Sequence, residues 1–556
     1  MTEAANSYLL AVQDRLSQLL SMQDREAPSL TYGCFDRTYW SWKFTDFPGA
    51  RFQEGVYGLA HLWTTPFEGN ELAGKARVFE WLRAGMRFWQ RLQHHDGSFD
   101  EAYPFEHSLA ATAFTSYYAG EAFLRVSEML PTSEQALLRQ TFARAGEWLC
   151  RNDERHGILS NHLAAAAAAL YVIFRITGDE RFEQRCWYFV QRIYDHQSIE
   201  GWFEEYGGAD PGYQSHCTFY LARLWQYTKD ENLLASLQRS VFFLKHFIHP
   251  NGTLGGEYGS RNTEFYFPAG FEILATLLPD AAQIAGFMRP SVAAQRVAGL
   301  AAMDPYNFFP LMNNYLFAAA NAVELSPEPL PCEQEGEWNF PRAGLLVKST
   351  PAYYSVLGMS KGGVLKIYER ATRRLAVSDC GYWARLNDGK VISNQSLNRD
   401  IEWSTDGDDI CGQVDFVQLN QRVLSPWLFM GFRLFSLTFG RVQAAAYWLK
   451  DQLVRLLVRR RRRAPLRLRR CVRFGSDYIN IHDEIELHGD LRVQMLQRDG
   501  KFATIHMGSS RYFQPQELEA DFEDVSGLAE KLMQDRRLSV DWTWESRPQQ
   551  QAGNRK

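Results

Sequence analysis

A four-residue phrase recurs along the first half of this chain: Asp96-Gly97-Ser98-Phe99, His156-Gly157-Ile158-Leu159, Glu200-Gly201-Trp202-Phe203 and Asn251-Gly252-Thr253-Leu254. Each copy follows an aromatic-rich stretch with helical spacing, and the copies sit roughly 45 to 60 residues apart, the length of one helical hairpin. A polar residue, a glycine and a bulky apolar residue make a helix stop, a turn and an anchor that re-enters the core. Hairpins in series curl into a ring whose connecting loops gather on one rim. The repeat predicts an (α/α) toroid over residues 1–325 with its cleft at those loops.

The apolar spacing supports this reading. Residues recur at three and four positions over 79–92, 137–150 and 182–194. Leu163 to Phe174, with six consecutive alanines, is apolar all round. It is too short to span a bilayer and fits a helix packed on every side. Aromatic residues make up 14% of the chain, including 16 Trp, a share that suits helical seams or sugar-stacking clefts.

The pattern changes after Leu325. Ser326-Pro327-Glu328-Pro329-Leu330-Pro331 opens a linker expected over 326–340, and short alternating runs follow at 343–347, 353–359, 364–368 and 478–485. These predict an antiparallel β-sandwich over 341–545, with a disordered tail at 546–556. The fold class is thus α then β, with a helical insertion interrupting the second half at about 425–473.

That insertion is apolar from Trp427 to Leu449, carries Arg433 and Arg441, and runs into Arg459, Arg460, Arg461, Arg462 and Arg463. Internal arginines argue against a spanning helix. An apolar aromatic helix joined to an arginine cluster suits an anionic membrane surface, a solvated basic face or a polyanionic substrate. The net charge of −5 argues against a nucleic-acid binder. The eight cysteines show no CxxC pair and no spacing for a metal, so they are expected as small buried apolar residues, with no metal and no cofactor. The N-terminus shows no basic-then-apolar leader, which predicts a cytoplasmic location with peripheral contact at the inner membrane face.

Unusual polar residues concentrate in four loops: 96–108, 159–162, 201–216 and 255–264. Three of them carry a resemblance. Asn161-His162 opens the alanine-rich helix; Glu205 to His216 reads Glu-x-x-Gly-x-x-Pro-Gly-Tyr-x-x-His; and Gly255-Gly256-Glu257-Tyr258-Gly259-Ser260-Arg261-Asn262-Thr263 follows. Over residues 30–320 the chain resembles the heparinase II/III-like polysaccharide lyases, which pair an (α/α) toroid with a β-sandwich.

The resemblance implies a carbon–oxygen lyase acting on an acidic polysaccharide, and the lack of a leader together with the arginine-rich helix suggests a role in bacterial surface-polysaccharide metabolism. Such an enzyme removes the C5 proton of a uronic acid and expels the oxygen on C4. The carboxylate must be neutralised and the enolate stabilised, which the resemblance assigns to Asn161. An acid and a base must flank C5 and O4, assigned to His162 and Tyr213, with His216 close by. Phenolate is scarce at neutral pH because tyrosine's ordinary pKa is about 10. A neighbouring cation helps, and Arg261 or His216 can supply it. Glu205, Tyr258, Arg261 and Asn262 are the expected substrate contacts. In many relatives the turn tyrosine is followed directly by histidine, whereas here Gln214 follows Tyr213.

Other readings of the same residues stay open. Asn161 can be a helix cap and Tyr213 a turn anchor. The chain can be a uronate C5-epimerase using the same proton abstraction. It can be a glycoside hydrolase using two of Glu101, Glu205 and Asp210. It can also be a non-catalytic, membrane-associated glycan-binding or assembly protein.

Overall fold

The computed structural model describes residues 3–154, 157–399, 401, 403–406, 408–419, 423–454, 462–504, 508, 512–518 and 527–546. Thirteen helices build the first half: α1 (Glu3–Gln13), α2 (Leu16–Met22), α3 (Gly55–Thr64), α4 (Ala76–Leu92), α5 (Leu109–Val126), α6 (Thr132–Arg151), α7 (Ser160–Thr177), α8 (Glu180–His196), α9 (Pro211–Thr228), α10 (Glu231–Leu244), α11 (Ala269–Leu274), α12 (Pro279–Ala293) and α13 (Pro305–Asn321). Helices α3, α5, α7, α9, α11 and α13 pack each on the next, and α13 returns to α3, so the inner ring is closed. Helices α4, α6, α8, α10 and α12 lie outside it. Burial follows position: α4 and α8 each bury one stripe, whereas α7 is buried nearly all round.

The recurring glycine has a physical role in this ring. Gly97 and Gly201 adopt φ of 100° and 101°. A Cβ on Gly97 would meet the Arg144 carbonyl oxygen at 2.2 Å, and one on Gly201 the Arg239 carbonyl oxygen at 2.0 Å. Only glycine permits both the left-handed turn and this approach to the neighbouring outer helix. Three copies close the same turn, with His94, Ser198 and His249 N–H donating to the carbonyls of Ser98, Trp202 and Thr253, each at 2.9 Å. His156 of the remaining copy lies outside the described residues.

Thirteen strands form two antiparallel sheets. The first holds β1 (Gly336–Phe340), β2 (Leu345–Ser349), β3 (Tyr353–Gly358), β4 (Val364–Glu369) and β5 (Arg374–Asp379) in simple order. The second holds β6 (Tyr382–Leu386), β7 (Val391–Ser393), β8 (Trp403–Asp406), β9 (Asp409–Gln418), β10 (Arg463–Phe474), β11 (Tyr478–Leu487), β12 (Val493–Arg498) and β13 (Arg537–Glu545), ordered β12-β6-β7-β9-β10-β11-β13 with β8 on β9. Leu345, Val347, Tyr354 and Val356 of the first sheet join the toroid core. Tyr353, Leu357, Leu365 and Ile367 meet Val472, Ile479 and Ile481 between the sheets. The order of layers is therefore toroid, first sheet, second sheet.

Three expectations need correction. The first strand starts at Gly336, inside the expected linker, because Trp338 and Phe340 alternate onto the toroid at His246. The helical insertion is shorter than expected. It consists of α14 (Pro426–Thr438) and α15 (Gln443–Val454), and the arginines from 463 to 473 belong to strand β10. There they face acids across the ladder: Arg467 bonds Asp415 and Arg473 bonds Asp409, while Arg470 is fully buried between Asp483 and Asp379. Last, two cysteines are not isolated thiols: Cys411 and Cys471 sit opposite each other on β9 and β10 and form a disulfide. Arg459, Arg460, Arg461 and residues 547–556 lie outside the described residues. No helix among the described residues is long and apolar enough to cross a membrane.

Candidate active site

The loop rim of the toroid holds a cavity of about 240 Å³, lined by Asn161, His162, Tyr213, His216 and Arg261 together with Arg51, Phe114, Glu154 and Lys450. Two helix starts deliver the key side chains. Asp210 caps α9, its Oδ1 accepting from Tyr213 N–H at 3.1 Å, and Pro211 occupies the first turn. Its Oδ2 accepts from Arg261 N–H at 2.8 Å, tying the third loop to the fourth. Tyr213 and His216 lie three residues apart on one face of α9. Gln214 points the other way, its amide donating to Ser240 on α10 at 2.9 Å. The departure from the tyrosine–histidine pair thus leaves a histidine at the cavity.

Asn161 stands in the first turn of α7, after Leu159 at the cap position, so its side chain is not the cap. Instead its Nδ2 donates to Glu205 Oε1 at 2.6 Å and its backbone N–H to the same oxygen at 3.0 Å. Glu205 is wholly buried, and Arg261 Nη1 reaches its second oxygen at 3.4 Å. Arg261 continues to the Tyr213 hydroxyl oxygen, which accepts from Nη2 at 3.3 Å. An unbroken chain thus runs Asn161–Glu205–Arg261–Tyr213. Burial pushes the Glu205 carboxyl upward, and Arg261 and the Asn161 donors work against that shift. Arg261 lies over the rings of Tyr213 and Tyr206, 4.2 and 4.8 Å from their centroids. The Asn161 Oδ1 has no protein partner among the described residues.

The two histidines differ. His162 Nδ1 lies 2.9 Å from Glu154 Oε2. In the neutral ring that contact holds the proton on Nδ1 and leaves Nε2 with the lone pair. His216 is stacked on Phe267 at 4.0 Å and on Phe114 at 5.7 Å. Burial, then Arg51 and His162, push its pKa well below the ordinary histidine value. It is a neutral ring and does not supply the positive charge expected beside Tyr213. Arg261 does.

Two expected contacts lie elsewhere. Tyr258 is buried at the junction of toroid and first sheet, where its hydroxyl is 2.8 Å from His249 Nε2 and its side chain packs on Gly358. Asn262, with φ of 58°, turns the loop and is 1% exposed, away from the cavity. Both fall within a motif, but neighbours in sequence on an irregular loop face different ways. Glu205 is in the site without lining the cavity, since it is spent on Asn161.

Sequence reasoning passed over four contributors. Arg51 holds Glu54 at 2.9 Å and Glu101 at 3.1 Å and lies over Phe114. Glu154 orients His162. Tyr206 faces Arg261. Lys450 arrives from α15 and pairs with Glu106 at 3.0 Å. Burial works against its ammonium, but Glu106 and Glu154 outweigh that and hold its pKa above the ordinary lysine value. Among the described residues, no group of His, Cys, Asp and Glu is arranged to hold a metal ion. A larger cavity of about 370 Å³ lies between toroid loop and strand ends, lined by Trp542, Trp544 and Lys501; no residue expected in the site reaches it.

Residues 44–267 match the family described as the Ulvan lyase N-terminal domain. Among solved structures, the Streptomyces coelicolor A3 chondroitin AC lyase in complex with chondroitin sulphate is 12% identical over 89% of this chain and 68% of that one, at a TM-score of 0.55. Paenibacillus xanthan lyase is 10% identical over 88% of this chain and 46% of that one, at 0.51. At such identities the likeness is one of fold. No curated protein matches the sequence. The fold likeness is to polysaccharide lyases that join an (α/α) toroid to antiparallel β-sheets, and the family match covers the toroid part of this chain.

Proposed function

We propose that this chain cleaves an acidic polysaccharide by β-elimination at a uronic acid residue. The observation that carries the reading is the linked set Asn161–Glu205–Arg261–Tyr213 opening on one cavity beside His162 and Glu154. Asn161 binds the C6 carboxylate through its amide and stabilises the enolate as charge develops. His162, oriented by Glu154, takes the C5 proton on Nε2. The electron pair forms C4=C5, and the C4–O4 bond breaks. Tyr213 gives its proton to the departing O4, while Arg261 stabilises the phenolate left behind. Arg51 and Lys450 stand in the same wall, paired there with Glu54 and Glu101 and with Glu106, and offer donors to the hydroxyls and carboxylates of a sugar chain. The names of the matched family and of the similar structures direct the choice of polymers to try: ulvan, chondroitin sulphate and xanthan.

Isotopes separate this chemistry from its rivals. Products formed in water enriched in oxygen-18 are expected to carry no label, because elimination adds no water. Label at the new reducing end would establish hydrolysis instead. Deuterium entering C5 of an intact polymer incubated in D₂O, without cleavage, would establish epimerisation.

A further inference from the structure

Helices α14 and α15, joined through Phe439–Arg441, turn their polar groups toward the protein. Arg433 bonds Asp46 at 3.1 Å, Gln443 and Tyr447 both donate to Asn152 Oδ1, at 2.9 and 2.5 Å, and Lys450 reaches Glu106. Their large apolar side chains face out. Eleven of the 25 large hydrophobic side chains exposed among the described residues lie between Val423 and Trp448. Trp427 is 79% exposed, Leu434 67% and Trp448 58%, with Leu428, Met430 and Phe439 beside them. The toroid segment pinned by Arg433 adds Trp42 and Phe44. A surface element folded for water alone shows the reverse arrangement, and an apolar patch of this extent marks a contact surface.

We infer that this hairpin binds the face of an anionic lipid bilayer. Charge selects that occupant. With Arg433 and Lys450 paired inward to Asp46 and Glu106, the charge left for a surface is Arg441 and the exposed Arg462 and Arg463 against Asp451, with Arg459, Arg460 and Arg461 just ahead of them in the sequence. Trp, Phe, Leu and Met beside arginine is the composition of helices that lie in the headgroup layer. Over the described residues neither helix is long and apolar enough to cross, so the hairpin is read as lying in the interface rather than through it. Because Lys450 and Glu106 line the cleft, the lipid surface sits beside the loop rim of the toroid.

The test is flotation of the full chain with vesicles of phosphatidylcholine alone and of phosphatidylcholine with phosphatidylglycerol, beside the double variant Leu428→Glu/Leu434→Glu. Both side chains are exposed, so the variant is expected to keep the wild-type melting temperature and circular dichroism. Wild type is expected to float with the anionic vesicles, and the double variant to bind about tenfold less or worse. Absence of flotation at low and moderate salt overturns the inference, as does equal flotation of the variant. So does a concentration-dependent dimer, abolished by the double change, without vesicle binding: the occupant is then a second copy. None of these outcomes bears on elimination, which is read separately.

Discussion

Helix α7 and the α14–α15 hairpin are both rich in apolar residues, and they meet opposite fates. Ala164, Ala165, Ala166 and Ala167 are wholly buried, because α7 has the ring helices α5 and α9 beside it and α6 and α8 outside. The hairpin has one side against the toroid and its bulkiest side chains in the open. Both also reach the same cavity, α7 through Asn161 and His162 and α15 through Lys450. The difference separates two duties. Groups that must hold a fixed geometry for chemistry grow from a helix that cannot move. The lysine that pairs with Glu106 in the wall comes from an element held by a handful of polar contacts.

Substitutions test that contrast, beginning with the largest effect. Ala166→Asp places an unpaired charge in the ring and is expected to cost about 3 to 5 kcal/mol, read by urea denaturation. A loss below about 1 kcal/mol would show that α7 is not enclosed. Asn161→Ala removes the enolate donor and is expected to lower kcat by about 10² to 10³, with a stability loss of about 1 to 3 kcal/mol from the donor taken from buried Glu205. Loss confined to KM would reduce Asn161 to a binding group.

Acid separates the ring from the hairpin as well. Burial, reinforced by Lys366, holds His249 at about 3 in the folded protein. Unfolded, it titrates near 6.5, so the unfolded state binds more protons between those values. Its contribution to stability is thus complete above 6.5 and lost as pH falls toward 3. The His249→Asn variant is expected to lose less stability than wild type between pH 7 and pH 5, by up to about 2 kcal/mol. Parallel pH curves for the two proteins would contradict this.

Lys450→Ala is expected to raise KM about three- to tenfold at constant kcat, with Lys450→Arg restoring most of it. A matching fall in kcat would move Lys450 into the chemistry. Leu434→Glu is the smallest change, within about 0.5 kcal/mol of wild-type stability. A large destabilisation would mean that the outer face of the hairpin is covered in the protein itself.

Much of this was legible in the chain, and for stated reasons. Gly97, Gly201 and Gly252 announce the ring because a left-handed turn against a neighbouring helix admits little else. The alanine run fits α7 because close packing on all sides leaves no room for larger groups. Asn161, His162, Tyr213 and Arg261 were findable because each is tied to a helix start or a tight loop. Lys450 was not, since nothing near it in sequence records its pairing with Glu106. Arg467, Arg469, Arg470 and Arg473 misled because strand arginines paired across a ladder look, in sequence, like the end of a basic helix. Tyr258 and Asn262 share a motif with Arg261 but not its direction.

The most direct test of the elimination site is ultraviolet absorbance of the purified chain incubated with ulvan, chondroitin sulphate and xanthan, beside His162→Ala and Tyr213→Phe. The account predicts a rising absorbance from a new C4=C5 bond with at least one polymer, and its loss by at least about 10² in both variants. An absorbance rise that survives either substitution would contradict the roles given to His162 and Tyr213, and cleavage without any rise would contradict elimination itself.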